Sequence, residues 1–554
     1  MASPPIYICI QSTKGHALGD EYGMTAAQSS SPPRQSTHSY LWLAFLLLLS
    51  TTLSLVWSHT RLMWNDEFLS FYTDSVATFH QVILVQLHHP ISLDPPTYHL
   101  LSHLCMDILG RKAIALRLPA LAGFLLFQLC LFFFVRRIAG DRSAIIAAAI
   151  PTLTASFHYS VEARPYGLLL GFYALSLLCW QIATQFDDSP ANTSHPSRLL
   201  PLIGLALSIA LAITSHYFGV LILIPVSLGE LSRILIRKRI DFGVLTALIL
   251  GLASVGLILP FKRALMAYQQ HYYTGVTVEK IAESYRGLVY RYTWSDSAQK
   301  LTHYLLLIVA LVLLFEGYQR FKRRPAAEHA YTWIALAAMA LLPFFGYLFG
   351  RFVTHTLEVR FVMATLVALT AIFAIVLERR LRSNAVYVTL LGALLIAAVI
   401  LNSWDILQER RASNQILAGF QLSPKASAEL HQNPKEPIYV QSSFAFFLDT
   451  YYNPDPTLRP RLTLLYGEPQ EMRWIHNDTA AITAINLRTF EPFPTLSYDD
   501  FRRQPSPLLI LYQHPVLLQW ISEQLAADHI SDTPIDECFL GELVRVNNPP
   551  NPQK

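Results

Sequence analysis

About eleven apolar runs, most of them close to the length that crosses a bilayer, decide what this chain of 554 residues can fold into. They lie at Tyr40–Trp57, Ile114–Val135, Ser143–Tyr159, Gly167–Gln185, Leu199–Ser215, Tyr217–Ile236, Val244–Pro260, Leu301–Leu314, Tyr331–Gly350, Phe361–Leu377 and Val386–Leu401. Between them charge is scarce: hydrophobic residues make up 53% and charged residues 14%. A soluble domain of this size needs more charge to cover its surface. The net charge of +4 is too small to suggest nucleic-acid binding, and the cations cluster between the apolar runs.

That clustering sets an expected orientation. Arg136, Arg137 and Arg142 follow the second run, and Arg233, Arg237, Lys238 and Arg239 the sixth. Arg320, Lys322, Arg323 and Arg324 follow the eighth, and Arg379, Arg380 and Arg382 the tenth. With an odd number of spans all four clusters share one side with the N-terminus, which the positive-inside rule makes cytoplasmic. The loop from Phe261 to Lys300 carries six Lys or Arg on the opposite side and dissents. Some of those cations could meet anionic substrate or lipid.

Three regions follow. Residues 1–39 are rich in Ser, Pro and Gln without apolar periodicity, and read as a disordered cytoplasmic leader. Residues 40–403 form the transmembrane region, with a first large outer loop at 58–113 that contains an amphipathic stretch, Phe68 to Leu87. In residues 404–554 strand-like runs alternate with helical ones. Pro437 to Gln441, Leu462 to Tyr466, Pro507 to Tyr512 and Phe539 to Val546 read as strands. Phe444 to Tyr452 and Pro515 to Ala527 read as helices, so the tail is expected to be a small extracytoplasmic α/β domain. The five cysteines show neither a disulfide framework nor metal-ligand spacing.

The candidate chemistry gathers at the outer ends of the runs. Asp66 and Glu67 follow the first run in Trp64-Asn65-Asp66-Glu67-Phe68. The plain reading is a solvated carboxylate pair; the functional one is a general base whose strength rises at an apolar boundary. Glu162-Ala163-Arg164-Pro165-Tyr166-Gly167 fills the turn between the third and fourth runs. There Arg164 is either a snorkelling cation paired with Glu162 or a fork for phosphate oxygens, with Glu162 orienting a sugar hydroxyl or a metal. Ser215-His216-Tyr217-Phe218 sits at the next outer turn, where His216 is an interfacial filler or a polar contact. Arg360, at the mouth of the tenth run, either snorkels or clamps a lipid phosphate. His88-His89-Pro90 with Asp94-Pro95-Pro96 offers metal-ligating types, but adjacent histidines point apart.

Taken together these segments resemble the polytopic C-type glycosyltransferases, particularly the bacterial branch related to protein O-mannosyltransferases and lipid A aminoarabinose transferases. The resemblance rests on Asp66-Glu67, on Asp94-Pro95-Pro96-Thr97-Tyr98, and on the Gly110 to Pro119 segment with Arg117. Glu162 to Gly167, Thr214 to Phe218 and Arg360 complete it. Glu162 stands where several relatives carry Asp, and Phe361 where Tyr is commoner. The resemblance implies an all-α polytopic membrane protein of about 11 transmembrane helices with the small α/β tail. It also implies an enzyme that moves a monosaccharide from a polyprenyl-phosphate donor to a hydroxyl on a protein, lipid or glycan acceptor. The expected site has Asp66 and Glu67 as catalytic carboxylates. Asp94, Glu162, Arg164, Tyr166, His216, Tyr217 and Arg360 contact substrate, and a divalent metal is a conceivable cofactor. The runner-up readings are a transporter or flippase of lipid-linked sugars and a membrane-anchored scaffold. Transport is disfavoured because the polar groups sit at one mouth and not along the midplane.

Overall fold

The computed structural model describes residues 37–187, 198–262, 275–289, 296–323, 330–420, 422–512, 520–538 and 541–548. Nearly all of the expected leader, Cys9 and part of the loop from Phe261 to Lys300 lie outside them. Among the described residues six helices are long and apolar enough to cross a membrane: Thr37–Thr60, Ala113–Leu153, Tyr166–Gln185, Tyr217–Arg237, Phe242–Phe261 and Asn384–Ala418. The bent pair Ala330–Ala340 and Leu342–Thr354, 53° apart, makes a seventh if it is one span. Leu199–Ser215 and Thr365–Val376 are shorter apolar helices, and Asp296–Arg323 covers the eighth run. The chain is a mostly helical, multi-pass membrane protein.

The second and third runs share one helix, α5 (Ala113–Ala149), that is broken where Gly140 takes φ 76°, a left-handed value that glycine tolerates without a Cβ clash. The third run is not an α-helix to its end, as its apolar composition had led us to expect. After Ala149 the backbone tightens into 3₁₀ turns at Ile150–Leu153 and Ala155–Ser160. Pro151 has no N–H to continue the α-helical ladder, and the chain then enters the turn that carries Glu162 and Arg164. α5 packs on α6 (Tyr166–Asp187) through small residues. A Cβ on Gly167 would lie 2.2 Å from the Ala120 carbonyl oxygen, and one on Gly123 2.4 Å from Gly167 backbone. Such close backbone approach is how membrane helices gain contact without a hydrophobic drive between them.

The first outer loop folds as two helices where one amphipathic stretch was read: α2 (Asn65–Asp74) and α3 (Phe79–His88), interrupted at 75–78. α4 (Pro96–Leu109) follows the proline pair, with Pro96 in its first turn. The tail carries a six-stranded sheet of β1 (Ile438–Val440), β2 (Leu462–Tyr466), β3 (Thr495–Ser497), β4 (Leu508–Tyr512), β5 (Ser531–Cys538) and β6 (Gly541–Asn547). Its order is β3-β2-β1-β4-β6-β5. β1 pairs in parallel with β2 and β4, with Ile438 opposite Leu462 and Leu508, whereas β6 runs antiparallel to β4 and β5. All three residues of β1 are buried, as a strand covered on both faces requires. β3 and β5 escape the sequence reading because Thr495–Ser497 is short and Ser531–Cys538 is polar, so neither shows a strand's apolar pattern.

The tail is fastened to α2 by aromatic packing. The Phe68 ring lies 5.6 Å from Phe447 and 6.0 Å from Tyr451, and Tyr72 is 5.0 Å from Phe493. The Tyr452 hydroxyl accepts the Met63 N–H at 3.0 Å, and Asn486 Nδ2 donates to the Pro90 carbonyl at 2.8 Å. The helix bearing Asp66 and Glu67 is thereby clamped between the membrane helices and the tail.

Candidate functional site

Asp66 and Glu67 occupy the first turn of α2, where the positive end of the helix dipole favours carboxylates. Successive helical side chains diverge by about 100°, and these two part company. Glu67 is fully buried and points into the protein. Its two oxygens accept from Arg117 Nε at 2.8 Å and Nη2 at 2.7 Å, and Oε1 also accepts the Ala163 N–H at 2.8 Å. Arg117 spends its remaining donors on the carbonyls of Ser58, Arg61 and Leu62. Burial alone would raise the Glu67 pKa, but Arg117, then Arg61, outweigh it and hold the carboxyl down at about 2. Glu67 is therefore a permanent anion locked in a structural fork, and it does not line the cavity that Asp66 faces.

That cavity encloses about 410 Å³. Asp66, Asp94, Arg164, Tyr166, His216, Tyr217 and Arg360 all line it, although they come from five separate parts of the sequence. Asp66 lies 3.9 Å from Arg360 Nη2. Burial raises its pKa above the ordinary value, against the pull of Arg164 and Arg360, while Glu162 and Asp94 push the same way as burial. A carboxylate so tuned is a stronger base than one in water.

Arg164 pairs with Asp94 at 2.8 Å and donates to Ser92 Oγ at 3.2 Å; its partner is thus Asp94 and not the nearby Glu162. The buried Arg164 Nε and the Arg360 Nε have no hydrogen-bond partner. The Phe218 N–H donates to His216 Nδ1 at 3.2 Å, which puts the ring proton on Nε2, 4.0 Å from Asp94 Oδ1. Burial drives the His216 pKa down to about 4 even though Asp94 works against it, so the imidazole is neutral at physiological pH. Phe361 packs between the rings of His216 at 4.8 Å and Phe218 at 5.0 Å and stacks on Tyr166. The Arg360 guanidinium sits 5.7 Å above the Tyr166 ring. Thr97 Oγ1 donates to Thr214 Oγ1 at 2.7 Å, and the Tyr98 hydroxyl donates to the Leu116 carbonyl at 2.7 Å, so that loop is pinned to its neighbours.

Glu162 is the one expected substrate contact outside this cavity. It is buried, lies 3.3 Å from His158 Nε2, and lines a neighbouring cavity. Sequence reasoning missed three contributions. One is the role of Arg117 as the partner of Glu67, which its position within an apolar run could have signalled. Another is Phe361 as the packing plate under Arg360 and His216. The third is the tail: Ser443, Ile475, Asn477, Thr479 and Thr483 wall the same cavity, and nothing local marks them. As for a metal, among the described residues no three or more His, Cys, Asp or Glu side chains gather closely enough to hold one. The donor set therefore does not fit a protein-bound metal, and the chemistry derived below passes through none.

Residues 93–259 match the family described as dolichyl-phosphate-mannose-protein mannosyltransferase. Among solved structures, ArnT from Cupriavidus metallidurans in the apo state is similar, with a TM-score of 0.56 at 12% identity over 93% of this chain and 100% of that one. The same protein bound to undecaprenyl phosphate aligns at TM-score 0.44 and 14% identity, over 92% and 99% of the two chains. The S. cerevisiae protein O-mannosyltransferase Pmt1-Pmt2 complex bound to the sugar donor aligns at 0.28 and 13%, over 43% and 34%. No curated protein matches the chain in sequence. The resemblance to C-type glycosyltransferases related to O-mannosyltransferases thus holds at two levels, the family match over 93–259 and the overall fold it shares with ArnT.

Proposed function

We propose that the chain is an integral-membrane glycosyltransferase that moves a monosaccharide from a polyprenyl-phosphate donor to an acceptor hydroxyl at the outer face of the cytoplasmic membrane. The observation that carries this reading is one cavity holding the carboxylate Asp66 beside the cations Arg164 and Arg360, with apolar walls from Leu69, Ile91 and Phe218. A base, a phosphate clamp and a surface for a lipid chain are the three things such a transfer needs.

The reaction is a single displacement with inversion at the anomeric carbon. Asp66 takes the proton of the acceptor hydroxyl as its oxygen bonds to that carbon, and the bond from the carbon to the phosphate oxygen breaks through an oxocarbenium-like transition state. The electron pair leaves on the polyprenyl phosphate, whose charge Arg164 and Arg360 neutralise without a proton. Arginine suits this because its planar fork offers paired donors to phosphate oxygens. Glu67 acts through α2: its fork with Arg117 fixes the turn that aims Asp66. In this reading the N-terminus is cytoplasmic, the cavity and the tail are extracytoplasmic, and eleven crossings link them. The acceptor is a protein, lipid or glycan hydroxyl.

The test is sugar transfer from radiolabelled polyprenyl-phosphate sugars by purified protein in lipid nanodiscs. Wild type should release sugar from at least one donor, and Asp66→Asn should not, while keeping the wild-type elution profile. Near-normal turnover by the Asn variant would refute Asp66 as the base.

A further inference from the structure

A cavity of about 650 Å³ lies apart from the one that holds Asp66 and shares no lining residue with it. It sits where the outer loop meets the tail. One wall is α3 with the turn before it, another is Arg111 just ahead of α5, and a third is the tail segment Thr489 to Glu491.

Its charges face one space without pairing. Arg111 is the one Lys or Arg in the lining, and Glu491 the one carboxylate. Burial raises the Glu491 pKa and Arg111 pulls it back, so the two side chains feel each other. Yet neither has an ion-pair partner among the described residues. Opposite charges held apart across a void suit a ligand that carries both signs. The remaining groups agree with that. Ser75 is 5% exposed, and its hydroxyl, buried in the lining, has no hydrogen-bond partner, a cost that a ligand removes. His88 and His89 add imidazole N–H donors. Several donors around an arginine suit phosphate oxygens. Phe490 beside Glu491 puts an aromatic ring next to a carboxylate, a pairing that suits an ammonium.

The cavity also borders the lipid. Leu84, one of its walls, is 37% exposed, and Arg111 stands two residues beyond Leu109, which is 50% exposed at the end of α4. α3 itself packs on the end of the span Phe242–Phe261, where Leu259 is 57% exposed. Apolar side chains this exposed on short helices beside a span belong at the boundary between headgroups and acyl chains. A free zwitterion fills the polar part of the cavity and leaves that rim bare. An anionic lipid without an amine leaves Glu491 unmatched. The volume is within the range of small-ligand sites, about 300–1,000 Å³.

We propose that this cavity binds the phosphoethanolamine headgroup of a bilayer phospholipid, with Arg111 and the histidines on the phosphate and Glu491 on the ammonium. The acyl chains run over the exposed leucines, and the bound lipid bridges the outer loop to the tail. The site is independent of the transferase reading, since none of its residues lines the cavity of Asp66.

The experiment uses the delipidated full chain in detergent micelles. Native mass spectrometry follows the binding of dioleoyl phosphatidylethanolamine and dioleoyl phosphatidylglycerol. Glycerophosphoethanolamine, the same headgroup without acyl chains, is the third ligand. The proteins are wild type, Arg111→Gln, Glu491→Gln and Arg503→Gln, the last an exposed tail cation outside the cavity. Wild type should prefer phosphatidylethanolamine to phosphatidylglycerol by about tenfold, the worth of one charge-assisted contact. Arg111→Gln should weaken both lipids about tenfold. Glu491→Gln should weaken phosphatidylethanolamine alone and so erase the preference, a change of selectivity that general unfolding does not produce. Arg503→Gln should bind as wild type does. Equal affinity of wild type for the two lipids, or a preference that survives Glu491→Gln, overturns the proposal. So does glycerophosphoethanolamine binding as tightly as the intact lipid, which assigns the cavity to a soluble zwitterion, or an equal loss in Arg503→Gln.

Discussion

Arg117 grips both carboxylate oxygens of Glu67, at 2.8 and 2.7 Å, and thereby decides which of two adjacent acids is left to face the cavity. Asp66, one residue earlier on the same helix turn, meets Arg360 at 3.9 Å and lines the open space. The Arg117 side chain reaches out of a membrane helix to tie α2 to the end of the first span through the Ser58, Arg61 and Leu62 carbonyls. The pair therefore anchors the loop that carries the proposed base.

Removing one partner strands a buried charge, so Arg117→Ala should destabilise the protein by about 3–5 kcal/mol. Glu67→Gln, which keeps shape and some hydrogen bonds, should cost less. Thermal denaturation in detergent reads the difference. If Arg117→Ala melts like wild type, the fork is not the anchor described.

Asp66→Asn should leave that melting temperature almost unchanged, because the contact to Arg360 is long, 3.9 Å, and burial already disfavours the charged carboxylate. Transfer, by contrast, should fall by about 10²–10⁴ if the carboxylate is the general base. Equal losses in Asp66→Asn and Glu67→Gln, with both proteins folded, would contradict the division of labour between them.

Acid should weaken the fold in two overlapping windows. His216 has its pKa lowered from 6.5 to about 4, so the unfolded chain binds its proton first and stability falls as pH drops from 6.5 towards 4. Glu67, lowered from 4.5 to about 2, adds stability that is complete above pH 4.5 and lost as pH falls through 2. Each is worth about 3 kcal/mol when fully expressed. Asp66, raised by burial above 3.8, works in the opposite sense: it adds stability as pH falls towards 3.8 and so blunts the upper window. His216→Asn keeps an acceptor for the Phe218 N–H and should flatten the upper window in a pH series of melting temperatures. An unchanged slope there would mean that His216 is not held neutral by burial.

Gly167→Ala should disturb the site from outside it. Its Cβ would approach the Ala120 carbonyl oxygen to 2.2 Å, and only a shift of α6 against α5 can relieve that. Overpacking of this kind costs typically 1–3 kcal/mol. Gly167 directly follows Tyr166, which stacks on Phe361, so the shift should also lower donor affinity. Gly256→Ala, where a Cβ meets nothing within 4 Å, is the control and should behave as wild type.

Much of the architecture was legible before any coordinates. The apolar runs fall on helices, and β2 coincides with the strand read at Leu462 to Tyr466, because burial against lipid or on both sheet faces forces long uninterrupted apolar segments. The breaks were less legible. Gly140 and the 3₁₀ turns after Ala149 depend on single-residue backbone preferences inside apolar composition, which hydropathy does not register.

For the site, the residue types were readable and their partners were not. The sequence by itself determined that Asp66, Arg164, His216 and Arg360 stand near the ends of apolar segments and Asp94 in the loop between two of them, since charged groups are expelled from hydrocarbon. Only the tertiary structure decided that Glu67 turns inward to Arg117, that Arg164 answers Asp94 and not Glu162, and that Glu162 serves a different cavity from Asp66. Pairing over such sequence distances is set by helix packing and by the direction each side chain leaves its backbone, and neither quantity is written in a local stretch of residues.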